Sequence, residues 1–161
     1  MTTSRTRSGA VMPPAFLLAA LLALLSAAVL AIPAAKAADK PENMLVILTS
    51  ADTETQAMAL VLSNQVAKQG TPVHLMLCGP AGDIALKQPP AAAGKVITPK
   101  GMTVSSLLAG LKAKNAKIDV CAIYLPNRNL GADALSDGVG VAKPPVIAAE
   151  MTAPGTRVVG F

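Results

Sequence analysis

The chain has 161 residues, enough for one domain. It is 52% hydrophobic but only 2% aromatic, and 14 basic residues against nine acids give a net charge of +5. Arg5, Arg7 and Lys36 all lie within residues 1–37; without them the charge falls to +2 and the only aromatics are Tyr124 and Phe161, which excludes the charge footprint and base-stacking platform of a nucleic-acid binder.

The first segment, MTTSRTRSGA, is basic with no acid. Phe16 to Ile32 is an apolar run broken only by Ser26, Pro33 follows, and Ala35-Lys36-Ala37 has small–x–small spacing. This is the layout of a secretory signal peptide cleaved before Ala38. An uncleaved anchor is the alternative, with a run near the short limit for a bilayer. The expectation is therefore a signal over residues 1–37 and one domain over residues 38–161, exported to a periplasm with no membrane attachment after cleavage.

Met44 to Ser50 (MLVILTS) reads as a strand covered on both faces. DTETQAMALVLSNQVAKQG is a helix capped by Asp52 or Thr53 and stopped at Gly70, with Ala57, Leu60, Val61, Asn64, Val66 and Ala67 forming its inner stripe. TPVHLMLC is a second strand and GPAGDIALK a short helix with Pro80 in its first turn. Gln88 to Gly101 is a Pro- and Ala-rich loop, long enough to act as a mobile flap. MTVSSLLAGLKAKNA is a helix with Thr103 or a nearby serine as cap and Val104, Leu107, Leu108 and Leu111 inward. KIDVCAIYL is the third strand, NLGADAL a short helix, DGVGVA a brief strand, KPPVIAAEMT a helix and TRVVGF a final strand. Strand–helix alternation of this kind predicts an α/β fold, a mainly parallel sheet of about five strands between helices.

Ligands of open parallel sheets sit beyond the carboxyl ends of the strands. Both cysteines of the chain, Cys78 and Cys121, fall there. Cys78 precedes Gly79 and Pro80 at a helix start, where the helix dipole favours an anion and predicts a lowered thiol pKa. Cys121 is followed by Asn127 and Arg128, so a cation near a thiolate makes it a candidate nucleophile. Asp52, after the first strand, either faces the cysteines or caps its helix. The Cys-Gly-Pro triplet lacks the second cysteine of a thioredoxin motif, Ala81 standing in its place. His74, Met76 and Cys78 alternate on one strand face and offer a soft donor set suited to Cu(I). About 6.6 Å separates each from the next, so the alternative is a set of buried sheet residues. Phosphate-loop, dinucleotide and nucleophile-elbow motifs are absent from the sequence, and no cofactor is implied.

Leu107 to Leu130, LLAGLKAKNAKIDVCAIYLPNRNL, resembles the DsrE/DsrF-like family of sulfur-relay proteins. Those proteins have a helix ending in a K-x-G/N-x-K turn, a strand ending in Val-Cys, and a stretch leading to R-x-L/I. The likeness extends over most of residues 44–161. It implies a three-layer α/β/α sandwich, trimers or hexamers, and Cys121 as carrier of sulfur in persulfide form. The partners it implies are a sulfur-donor or acceptor protein or a small thiol, with activity at most that of a sulfurtransferase-like carrier. The export signal, Cys78 and the loop at Gln88 to Gly101 depart from the family pattern. Cys78 is then the partner of Cys121, resolving a persulfide or closing a disulfide. Such a bridge would close a 43-residue loop, a contribution on the order of 4 kcal/mol. The competing classes are a non-enzymatic oligomeric binding or assembly module with structural cysteines, and a periplasmic copper binder.

Overall fold

Apolar runs bounded by glycine and proline form the strands β1 (Asn43–Leu48), β2 (Val73–Leu77), β3 (Lys117–Val120), β4 (Val139–Val141) and β5 (Thr156–Gly160). The computed structural model describes residues 41–97 and 99–161; the expected signal and its cleavage point lie outside them. All four strand pairings are parallel, in the order β4-β3-β2-β1-β5. The α/β expectation holds, and the sheet is wholly rather than mainly parallel.

Side chains alternate across a strand, and this divides the sheet into two unlike faces. Val46, Leu48, Leu75, Leu77, Ile118 and Val120 point into the larger core with Leu60, Leu108 and Leu111 of helices α1 (Thr53–Lys68) and α2 (Val104–Lys112). Leu45, Ile47 and Met76 point the other way, against Ala142 and Ile147, the latter from helix α3 (Pro144–Thr152). Two helices cover one face and a single short helix the other, which gives three layers.

Caps set the helix starts. Asp52 Oδ1 accepts the Thr55 N–H at 2.7 Å, and Thr103 and Ser106 form a reciprocal capping box. The inner stripe of α1 differs from the expected one: Gln56, Ala57, Ala59, Leu60 and Ser63 are buried, while Val61 and Asn64 are half-buried. The two polar residues enter because their groups are satisfied locally, Ser63 Oγ donating to Ala59 O at 2.7 Å and Gln56 Nε2 to Ser50 O at 2.8 Å. Asn64 ties the two helices together by donating to Leu60 O and Leu107 O.

The segment at Gln88 to Gly101 is anchored rather than free. Ala91–Gly94 forms a 3-10 turn with Ala93 buried in the core, and the Ile97 N–H donates to Met102 O at 2.7 Å. The two segments expected as short helices hold 3-10 turns, at Gly79–Ala85 and Ala132–Ala134, and a further 3-10 turn lies at Pro126–Arg128. Among the described residues no helix is long and apolar enough to cross a membrane.

Candidate functional site

β2 and β3 pair in parallel with Leu77 opposite Val120 as the last matched residues. One residue further on, Cys78 and Cys121 stand side by side at the carboxyl edge of the sheet. Backbone bonds hold both: the Cys78 N–H donates to Leu48 O and the Cys121 N–H to Leu77 O, each at 2.9 Å. Neighbouring strands run about 4.8 Å apart, within the Cα span that a disulfide bridges. Both cysteines are free and partly buried.

The thiol of Cys78 does not behave as its place before a helix suggests. Its pKa is pushed up to about 12, first by burial and then by the hydrogen bond and negative charge of Cys121, with the Cys121 backbone N–H opposing. The helix-dipole expectation fails because the following element is a short 3-10 turn that makes no cap to the Cys78 side chain.

Cys121 forms one wall of an apolar cleft of about 290 Å³, lined also by Met76, Ile123, Ile147, Ala148 and Met151. Ile123 at the rim is 66% exposed. A somewhat larger cleft, about 380 Å³ beside Leu86, Lys87 and Leu130, is lined by neither cysteine. We place the candidate site at the smaller one.

Arg128 reaches the loop that follows Cys78. Its Nε donates to Asp83 Oδ1 at 2.8 Å, its Nη2 to Gly79 O at 3.1 Å, and its guanidinium lies 4.3 Å from the Tyr124 ring centroid. The buried Tyr124 donates its hydroxyl to the same Asp83 oxygen at 2.9 Å. Burial and that acceptor raise the Tyr124 pKa well above the ordinary phenol value. Gly79 adopts φ +54°, a left-handed turn that releases the chain from the strand directly after Cys78. Gly82 is required for space: a Cβ there would run into the Tyr124 ring, 2.8 Å from Cζ and closer still to Cε2 and Cδ2. Asn127 is exposed and makes no side-chain hydrogen bond among the described residues. Asp52 is an exposed helix cap whose Oδ1 is taken by Thr55, which holds its carboxyl below the usual range.

His74 is buried, and each of its ring nitrogens faces a carboxylate: Nδ1 lies 2.7 Å from Glu150 Oε2 and Nε2 lies 3.1 Å from Asp119 Oδ2. Lys117 Nζ adds a contact to the same Asp119 oxygen at 3.3 Å. A doubly protonated ring donates to both carboxylates; a neutral ring leaves one of them facing a lone pair. Both imidazole nitrogens thus face carboxylate oxygens. Among the described residues no group of three or more His, Cys, Asp or Glu is arranged to hold a metal ion. Met76 has gone to the wall of the cleft, one step along the strand from the cysteine pair.

The sequence reading brought out the two cysteines and missed Asp83, Tyr124, Asp119 and Glu150. Tyr124 carried a signal, being the only aromatic within the domain before the final residue. The carboxylates carried none, because their partners lie 41 to 76 positions away.

A five-stranded parallel sheet in three layers makes this an α/β fold. Solved structures share it, among them the following two. The YchN protein from E. coli superposes with a TM-score of 0.60 at 19% identity, over 74% of this chain and 99% of its own. A conserved protein of unknown function from Bacteroides thetaiotaomicron gives 0.54 at 13% identity, over 78% of this chain and all of its own. At these identities the likeness is one of fold. No family profile matches the chain, and no curated protein matches it in sequence.

Proposed function

We propose that this chain is an exported DsrE-like protein that handles sulfur or thiol redox chemistry through Cys121, with Cys78 as partner. The observation that carries the reading is the in-register placement of the two free cysteines at the carboxyl ends of adjacent parallel strands, beside an apolar cleft. The signal-like N-terminal sequence supports a periplasmic location, and the exposed Ile123 and Met151 support contact with a donor or acceptor protein, or with further copies in a homo-oligomer.

In the proposed loading step the Cys121 thiolate attacks the outer sulfur of a donor persulfide, R–S–SH. The donor S–S bond breaks, R–S⁻ leaves and takes a proton, and Cys121 becomes a persulfide. An acceptor thiolate attacking the outer sulfur regenerates the Cys121 thiolate. Alternatively Cys78, giving up its proton, attacks Cys121 Sγ and expels hydrosulfide. That closes a Cys78–Cys121 disulfide, which an external dithiol then reduces. The high pKa of Cys78 keeps it protonated until such an attack.

Thiol trapping and mass spectrometry of protein purified from a periplasm tests the reading. A persulfide or alkylatable thiol on Cys121 is expected. A quantitative Cys78–Cys121 disulfide that resists dithiol reductants in the folded protein would overturn it in favour of a structural module.

A further inference from the structure

The β2–β3 ladder ends at the cysteines, and the bond from the Cys121 N–H to Leu77 O is its last rung. Beyond that point the two cysteine-bearing loops, residues 78–85 and 121–128, leave the sheet. Apart from the bonds of Cys121 to the Cys78 thiol, the side-chain hydrogen bonds between them run through one cluster: Asp83 with Tyr124 and Arg128, and Arg128 with the Gly79 carbonyl. The grip is close to the chemistry, because Gly79 adjoins Cys78 and the Tyr124 N–H donates to the Cys121 carbonyl at 2.9 Å. The fit is also steric. Arg128 lies over the Tyr124 ring, and Gly82 is the only residue type that leaves room for that ring.

We infer that Asp83, Tyr124 and Arg128 form a clamp that holds the two cysteine loops together and sets how readily Cys78 and Cys121 react with one another. They are positioning residues: they act through the loops and touch no reacting atom. The inference rests on the reading of the cysteines as a reacting pair. A clamped pair has a high effective concentration of one thiol at the other, so loosening the clamp shifts the equilibrium from intramolecular disulfide toward dithiol.

The measurement is equilibration of the full domain with glutathione buffers. Oxidised glutathione takes up the two electrons: its own S–S bond breaks, the Cys78–Cys121 bond forms, and two glutathione thiols leave with the two protons. Arg128→Met and Asp83→Asn each remove charge-assisted bonds. Each is expected to lower the equilibrium constant about tenfold, which is about 30 mV for this two-electron couple. Tyr124→Phe loses only the hydroxyl, is the variant least exposed to misfolding, and is expected to lower the constant several-fold. Lys112→Met removes bonds to Ser136 Oγ and Asp137 O on a different pair of elements, and serves as a control for general loosening.

Constants unchanged within about twofold in the folded clamp variants, or an equal shift in Lys112→Met, would overturn the clamp while leaving the pair intact. Failure of the unaltered protein to form the disulfide at any glutathione ratio would overturn both the pairing and the clamp.

Discussion

Replacing His74 by leucine is the sharpest test of what fastens α3 to the sheet. The imidazole is buried between Asp119, whose side chain is 9% exposed, and Glu150, whose side chain is 22% exposed. Leucine fills much the same space, so the loss is electrostatic rather than a cavity. Removing the imidazole leaves both carboxylates without the partner that each of its nitrogens provides, at about 3–5 kcal/mol. Asp119 retains Lys117 at 3.3 Å, a lysine whose side chain is half-exposed, and Glu150 can turn toward water. Both reliefs place the expected loss at the lower end, about 3 kcal/mol. For a domain of this size that is roughly 10 °C in Tm. Urea unfolding gives the loss from the shift in midpoint at constant slope. The double variant His74→Leu/Asp119→Asn should lose less than the two single losses added together, because taking away both partners leaves fewer stranded charges. A loss under about 1 kcal/mol for His74→Leu, or strict additivity in the double variant, would refute the account of His74 as the buried partner of Asp119 and Glu150.

Three further outcomes follow from the same geometry. Gly82→Ala forces a methyl into the Tyr124 ring, which is buried and cannot yield, so a loss of about 2–3 kcal/mol should appear in urea melts. Thr103→Ala removes the capping box of α2 and should cost about 1 kcal/mol, with Ser106→Ala costing less. In native protein at neutral to mildly alkaline pH, iodoacetamide should label Cys121 first, with Cys78 lagging until the pH approaches about 12. The sign for stability follows: the folded chain holds the Cys78 proton more tightly than the unfolded chain. Its contribution is complete below the ordinary thiol range and falls as pH rises from there through the folded value. Equal labelling of both cysteines at neutral pH would contradict that order.

Alternation of apolar runs with capped amphipathic segments was enough to read the order of strands and helices. Asp52, Thr103 and Gly70 marked their ends because capping chemistry is local. The cysteine pair was legible for a related reason: each residue ends a strand, and parallel strands end at the same edge. Three features resisted. The inner stripe of α1 was misread because Gln56 and Ser63 look polar until their backbone acceptors are known. The thiol shift of Cys78 was given the wrong sign, since sequence reveals a following turn but neither its 3-10 geometry nor the burial and the neighbouring sulfur that dominate. The His74 and Asp83 clusters join residues remote in sequence, and no single-chain pattern distinguishes Glu150 facing His74 from Glu150 facing water.

β2 carries leucines on one face and His74 and Met76 on the other, with Cys78 directly after it, and this alternation also acts as a check on assembly. Slipping the strand by one residue would turn His74 into the leucine-lined core without Asp119 or Glu150 and would thrust Leu75 and Leu77 toward α3. A chain misaligned in this way meets an unpaired imidazole in an apolar interior, a penalty no neighbouring side chain relieves. The residues that hold α3 in place thus also reject the wrong alignment of the central strand, so the two cysteines come level only in a correctly threaded sheet.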